Sequence, residues 1–158
     1  MFRCLAVTAA VVLAAPACAD EAKYVKLVHK DTGKVLAVED NSGDAGARVI
    51  LAKDDANTAQ WKFEKDGEFY KVVNRKTGKV LDVFEDSREE GAAIIQWDEK
   101  SEGIDNQRWA WEGDGKVRRL KAKSSEMVLD VDSDGKVIQK KADDKAKGQL
   151  WEVVEVKD

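Results

Sequence analysis

The sequence holds five tryptophans, and one of them has no counterpart elsewhere in the chain. A segment recurs three times, and Trp61, Trp109, Trp111 and Trp151 each fall where at least one other copy also carries a large apolar residue. The positions that match Trp97 are Ala52 and, at or near it, Lys140. A tryptophan that the core of two copies does without is a candidate for exposure, and an exposed indole near a carboxylate has the chemistry of a ligand platform. The competing reading is that Trp97 fills a local gap beneath the loop of residues 99–105.

Other spacings imitate metal or acid–base chemistry less well. Asp130-Val131-Asp132-Ser133-Asp134-Gly135 resembles the start of a calcium loop, but the twelfth position, where a bidentate Glu is needed, is Lys141 and neither flank reads as a helix. The segment reads as an acidic hairpin turn around Asp134-Gly135. His29 is the sole histidine, which excludes His-based zinc clusters and leaves little for a Ser-His-Asp mechanism without a G-x-S-x-G segment. Glycoside hydrolysis needs two carboxylates, and with 31 acidic residues no pair stands out from the solvated faces of strands and turns. The reading is of a protein that is not an enzyme and needs neither metal nor cofactor.

The elements that position these residues follow from the repeat. The first copy opens Tyr24-Val25-Lys26-Leu27-Val28, continues through Thr32-Gly33-Lys34-Val35-Leu36-Ala37-Val38 and closes at Trp61. The second opens Phe69-Tyr70-Lys71-Val72-Val73, repeats Thr77-Gly78-Lys79-Val80-Leu81-Asp82-Val83 and reaches Trp109; the third carries Met127-Val128-Leu129-Asp130-Val131 and ends at Trp151. Leu36, Leu81 and Leu129 lie 45 and 48 residues apart, a period that marks one supersecondary unit copied until the copies share a core. Apolar residues alternate or come in short β-branched runs, with Asp-Gly and Thr-Gly turn signals between them, so the chain is all-β with about four strands per copy. A propeller needs four or more blades, whereas three copies suit a closed pseudo-threefold barrel. Trp61, Trp109 and Trp151 are then equivalent core residues, with Phe63, Trp111 and Val153 on the same face two residues on.

Residues 1–19 read as a secretory leader: Arg3, an apolar run over residues 5–15, and the small-x-small pattern Ala17-Cys18-Ala19 before Asp20. The run is about half the length a membrane-spanning helix needs, and the expectation is a secreted or periplasmic protein without membrane insertion. Lipidation at Cys18 is the lesser alternative, since Ala15 stands where such sites favour a larger aliphatic residue. Both cysteines, Cys4 and Cys18, lie in the leader, so the domain at 20–158 is expected to be held by its core alone. Charges of both signs are interspersed at a net −4, which disfavours nucleic acid as a partner.

At Asn106-Gln107-Arg108-Trp109 and Gln149-Leu150-Trp151 the sequence resembles the Q-x-W signature of the ricin-B-type β-trefoil lectins, and Gly91-Ala92-Ala93-Ile94-Ile95-Gln96-Trp97 is similar to their bacterial branch. In the first copy the signature has decayed to Ala59-Gln60-Trp61. The resemblance implies a β-trefoil of three repeats (about 23–66, 67–114 and 115–158) that binds carbohydrate in shallow pockets, up to one per repeat. It also implies roles: an aspartate accepts sugar hydroxyls, an aromatic supports the ring, and the asparagine of the Q-x-W region completes the polar set. Only the middle repeat carries the full set, Asp82, Trp97 and Asn106, with Gln107 in support and Gln96 beside the platform. The first repeat has Ala37 and Ala52 instead, and the third keeps Asp130 but has Gly148 at the asparagine position. Some family members place a glutamine two residues before the aromatic, where this chain has Ile95. The expectation is a lectin-like module with one site; the alternative is a trefoil that binds or inhibits a protein partner, its sugar sites degenerate. Self-association would add avidity in either case.

Overall fold

The structure is a computed structural model that describes residues 23–157. The leader, with its two cysteines and its cleavage or lipidation readings, lies outside the described residues.

Twelve strands form among the described residues, four per copy as the repeat predicts. The first copy contributes β1 (Tyr24–His29), β2 (Val35–Val38), β3 (Val49–Ala52) and β4 (Trp61–Asp66). The second contributes β5 (Phe69–Asn74), β6 (Val80–Val83), β7 (Ile94–Trp97) and β8 (Trp109–Glu112). The third contributes β9 (Val117–Ala122), β10 (Val128–Val131), β11 (Val137–Lys140) and β12 (Trp151–Glu155). The outer strands of each copy pair antiparallel in the closed ring β1-β4-β5-β8-β9-β12, which returns to β1. The inner strands form the hairpins β2–β3, β6–β7 and β10–β11. Single bridges, Arg48↔Ile95, Ala93↔Ile138 and Ile50↔Lys136, tie each hairpin to the next around the pseudo-threefold axis. This is the β-trefoil: closure leaves the ring strands no free edge, and the hairpins cap one end.

The alternation in sequence translates directly into burial. Alternation is clearest in β1, which buries Val25, Leu27 and His29, while β4, β8 and β12 bury their leading tryptophan. The hairpin strands β2 and β6 are buried at all four positions, because the segment preceding the next tryptophan folds back over their outer face. Trp61, Trp109 and Trp151 have no exposed surface, and Phe63, Trp111 and Val153 pack partly buried against the same core. Trp61 and Trp109 donate their indole N–H to the carbonyls of Leu36 and Leu81 at 2.8 and 3.0 Å, which ties these two tryptophans to their own hairpins.

Two turns refine the sequence reading. Pairing of β4 with β5 runs to Asp66↔Phe69, so the central residues of that turn are Gly67-Glu68 rather than Asp66-Gly67. Gly67 has φ +62°, the backbone state that a two-residue hairpin with glycine first requires. In the acidic segment of the third copy, the Asp132 carboxylate accepts the backbone N–H groups of Asp134 and Lys136, both at 2.9 Å, and so closes the β10–β11 turn.

Candidate functional site

The β6–β7 register, Val80↔Trp97, Leu81↔Gln96, Asp82↔Ile95 and Val83↔Ile94, sorts the side chains by face. Leu81, Val83, Ile94 and Gln96 point to the barrel; Val80, Asp82, Ile95 and Trp97 share the outer face. The short helical turn at Asp105–Gln107 lies across that outer face and carries Asn106 and Gln107 to Asp82. Asn106 Nδ2 donates to Asp82 Oδ1 at 2.9 Å and to the Val83 carbonyl at 3.0 Å. Gln107 Nε2 donates to Asp82 Oδ2 at 2.7 Å and to the Asp98 carbonyl at 3.0 Å. Asp82 is only 2% exposed, and burial pushes its carboxyl above the ordinary carboxylate range against the opposing pull of Gln107 and Lys100. Each carboxylate oxygen has two lone pairs, so with one amide donor apiece Asp82 keeps acceptor capacity for hydroxyls.

Trp97, by contrast, is 39% exposed at the end of β7. Its ring edge rests on Gly46 of the first repeat, where a Cβ would stand 3.3 Å from Cζ3. The indole therefore faces solvent on the same side of the hairpin as Asp82. The gap-filling reading, which places Trp97 beneath the loop of residues 99–105, accounts for neither its contact with Gly46 nor its exposure.

Gln96 is a correction to the sequence reading. It is fully buried on the barrel side, away from Asp82: Nε2 donates to the carbonyls of Ser42 and Asp44 at 3.0 and 2.8 Å, and Oε1 accepts the Thr77 hydroxyl at 2.8 Å. Strand alternation is the reason, since a residue next to an outward-facing Trp97 must face inward. Gln139 repeats the arrangement in the third copy, bonding the carbonyls of Ser87 and Glu89 and accepting from Ser125. Both glutamines clamp the hairpin loop of the preceding repeat.

The residue that sequence reasoning missed is Lys100. Its ammonium donates to Asn106 Oδ1 at 3.0 Å and stands 3.8 Å from Asp82 Oδ2, while its backbone N–H donates to Gln107 Oε1 at 3.0 Å. Lys100 lies three residues after the platform, and the same count in the other copies reaches Asp55 and Asp143. A charge reversed in sign against both counterparts was the signal available.

The other two copies hold parts of this arrangement. In the third, Gln149 Nε2 donates to Asp130 Oδ2 at 3.0 Å, so the Gln–Asp pair belongs to the scaffold as much as to a site. A side chain at Gly148 would collide with Asp130 Oδ1, and the platform position is the exposed Lys140. In the first, Thr58 replaces the asparagine and its hydroxyl bonds both the N–H and the carbonyl of Val38, beside the small Ala37. Asp82, Asn106, Gln107 and Trp97 come together only in the middle repeat.

The sequence profile described as ricin-type beta-trefoil lectin domain-like matches residues 13–97. The chain belongs to that family. As a member, it is a carbohydrate-binding module of β-trefoil type. Among solved structures, the designed threefold-symmetric protein ThreeFoil is 35% identical with a TM-score of 0.77, the alignment covering 84% of this chain and 99% of that one. An exo-β-1,3-galactanase from Clostridium thermocellum is 33% identical with a TM-score of 0.76, over 85% of this chain and 30% of the galactanase. A Polyporus squamosus lectin, solved with a sialylated influenza-binding epitope, shares the fold at 22% identity and a TM-score of 0.73, over 84% and 48% of the two chains. The trefoil thus spans the whole of ThreeFoil but under half of the two natural proteins. Comparison with curated protein sequences finds no match.

Proposed function

We propose that the protein is a secreted, non-enzymatic lectin that binds carbohydrate at one working site in its middle repeat. The observation that carries this reading is the solvent-facing Trp97 indole on the same hairpin face as the Asp82–Asn106–Gln107 network. Trp97 would lie under the apolar C–H face of a pyranose, Asp82 would accept its vicinal hydroxyls, and Asn106 would orient it. Lys100, within reach of Asn106 and Asp82, would shift aside or donate to the same hydroxyls. One shallow site predicts weak binding, on the order of millimolar to high micromolar, because few contacts must offset the cost of association. Useful avidity would then come from self-association or a multivalent glycan. The substrate in the name of the galactanase makes β-1,3-linked galactose the first probe.

The test is a titration of the domain with galactose-, mannose- and xylose-based glycans, alongside Trp97→Ala and Asp82→Ala. Saturable binding lost in both variants, with both still folded, supports the single-site lectin. Binding unaffected by either substitution, or no response to any glycan, would overturn it. The loss of platform and asparagine from the first and third repeats favours the second reading in that case, a trefoil that docks a protein.

A further inference from the structure

Phe84 follows β6 directly and is 43% exposed, the most exposed of the large apolar side chains among the described residues. Its equivalents are Glu39 and Asp132: each opens the hairpin loop after the strand, and each donates its backbone N–H back across the hairpin, to Arg48, Ala93 and Lys136 in turn. The first copy therefore opens a loop of the same length with an acidic side chain, and the third opens a shorter turn with one, so the fold has no requirement for an aromatic there. Trp97 stands out by the same criterion, and these two aromatics belong to the same repeat.

Their geometry relates them to Asp82. Val83 is extended (φ −83°, ψ 116°), so alternation puts Phe84 on the face of Asp82 and Trp97. Trp97 pairs with Val80, and Phe84 lies four residues beyond Val80, about 13 Å along the hairpin at about 3.3 Å per residue, with Asp82 midway. That separation exceeds one pyranose ring. The Phe84 end is also held in place. Asn106 Nδ2 bonds the Val83 carbonyl, and the loop after Phe84 is clamped at Ser87 and Glu89 by Gln139. Glu85 and Asp86 complete the turn with φ near +50°, as Asp40 and Asn41 do in the first copy. An exposed aromatic on a fixed backbone costs little ordering entropy when a ligand covers it.

We propose that Phe84 is a second sugar platform, so that the middle-repeat site takes an oligosaccharide of at least three linked pyranoses, the first ring at Trp97 and Asp82 and the third against Phe84. The inference rests on the carbohydrate reading of that site. Its test compares galactose, xylose and mannose with β-1,3-galactotriose, xylotriose and mannotriose, by NMR titration extended to millimolar ligand, on the wild type, Phe84→Ala, Phe84→Glu and Phe84→Trp. Glutamate is the residue of the first copy at this position, which guards against a folding artefact. The expected result is a trisaccharide bound about tenfold more tightly than its monosaccharide, the worth of one more ring face removed from water. Phe84→Ala and Phe84→Glu should lower the trisaccharide to the monosaccharide level without changing monosaccharide affinity, and Phe84→Trp should keep the gain. A monosaccharide that binds as well as its trisaccharide, or a gain that survives Phe84→Ala, overturns the second platform and leaves the lectin reading standing. No binding of any sugar overturns both.

Discussion

Replacing Gln96 by leucine should weaken the fold through the loop of the neighbouring repeat. The Gln96 side chain makes hydrogen bonds of 3.0, 2.8 and 2.8 Å to Ser42, Asp44 and Thr77, all within the protein. At about 1 kcal/mol net for each neutral bond, less about 1 kcal/mol regained by burying an apolar side chain, Gln96→Leu should cost about 2 kcal/mol. For a domain of this size that is a fall in Tm of roughly 6–10 °C. Gln139→Leu should cost the same, because its amide meets Ser87, Glu89 and Ser125 in the same way. The first repeat holds Leu51 at the equivalent place, where its backbone N–H meets the Gly135 carbonyl. The loop it faces is the short one, residues 132–136, whereas the clamped loops run over residues 39–48 and 84–93. Leu51 packs partly buried against the core, so Leu51→Gln should lose apolar contact without the longer loop that the glutamines clamp, and lower stability. Thermal denaturation of the three variants gives the magnitudes, and hydrogen exchange gives the location. Amides of residues 39–48 should lose protection in Gln96→Leu, and those of residues 84–93 in Gln139→Leu. A stabilised Leu51→Gln, or variants at Gln96 and Gln139 that melt like the wild type, would refute the clamp.

Trp97→Ala should cut glycan affinity about tenfold, from roughly 60 Å² of apolar contact at about 25 cal/mol per Å². Paired melts should show it far less damaging than Trp109→Ala, whose fully buried indole should cost about 3–5 kcal/mol. Burial raises the Asp82 pKa, so its contribution to stability is full below the ordinary carboxylate value and is lost as pH rises through the raised one; glycan binding, which needs the carboxylate, should fall as pH drops through the same value. Lys100→Gln removes the charge that holds this pKa down and should move the acid limb of a binding-versus-pH titration to higher pH, while an unmoved limb would disconnect Lys100 from Asp82. Burial instead lowers the pKa of His29, against the opposing pull of the Gly148 backbone and of the Asp31 and Asp130 carboxylates. Its contribution to stability is present above pH 6.5 and is lost as pH falls through the lowered value. His29→Asn, matching Asn74 of the second copy, which donates to the Thr58 carbonyl at 2.8 Å, should flatten that part of a Tm-versus-pH profile.

By itself the sequence determined the architecture. Three copies closing on Trp61, Trp109 and Trp151 dictate a threefold barrel, because no copy buries its apolar face alone. The mismatch of Trp97 against Ala52 and Lys140 was equally legible, since a repeat supplies its own controls for what the core requires. Side-chain direction beyond the strand period was not, and only the tertiary structure decided it. Gln96 and Trp97 are adjacent in sequence, yet one clamps a loop from the neighbouring repeat and the other faces solvent. That division depends on the register of β7 and on the length of the loop that packs against it. Lys100 reaches Asp82 because the turn at Asp105–Gln107 folds back over β6, and Phe84 shares the face of Trp97 because the hairpin aligns them across four residue steps. Spacing fixes which residues recur, but contacts between copies separate a clamp from a platform, because they depend on distances the repeat period does not encode.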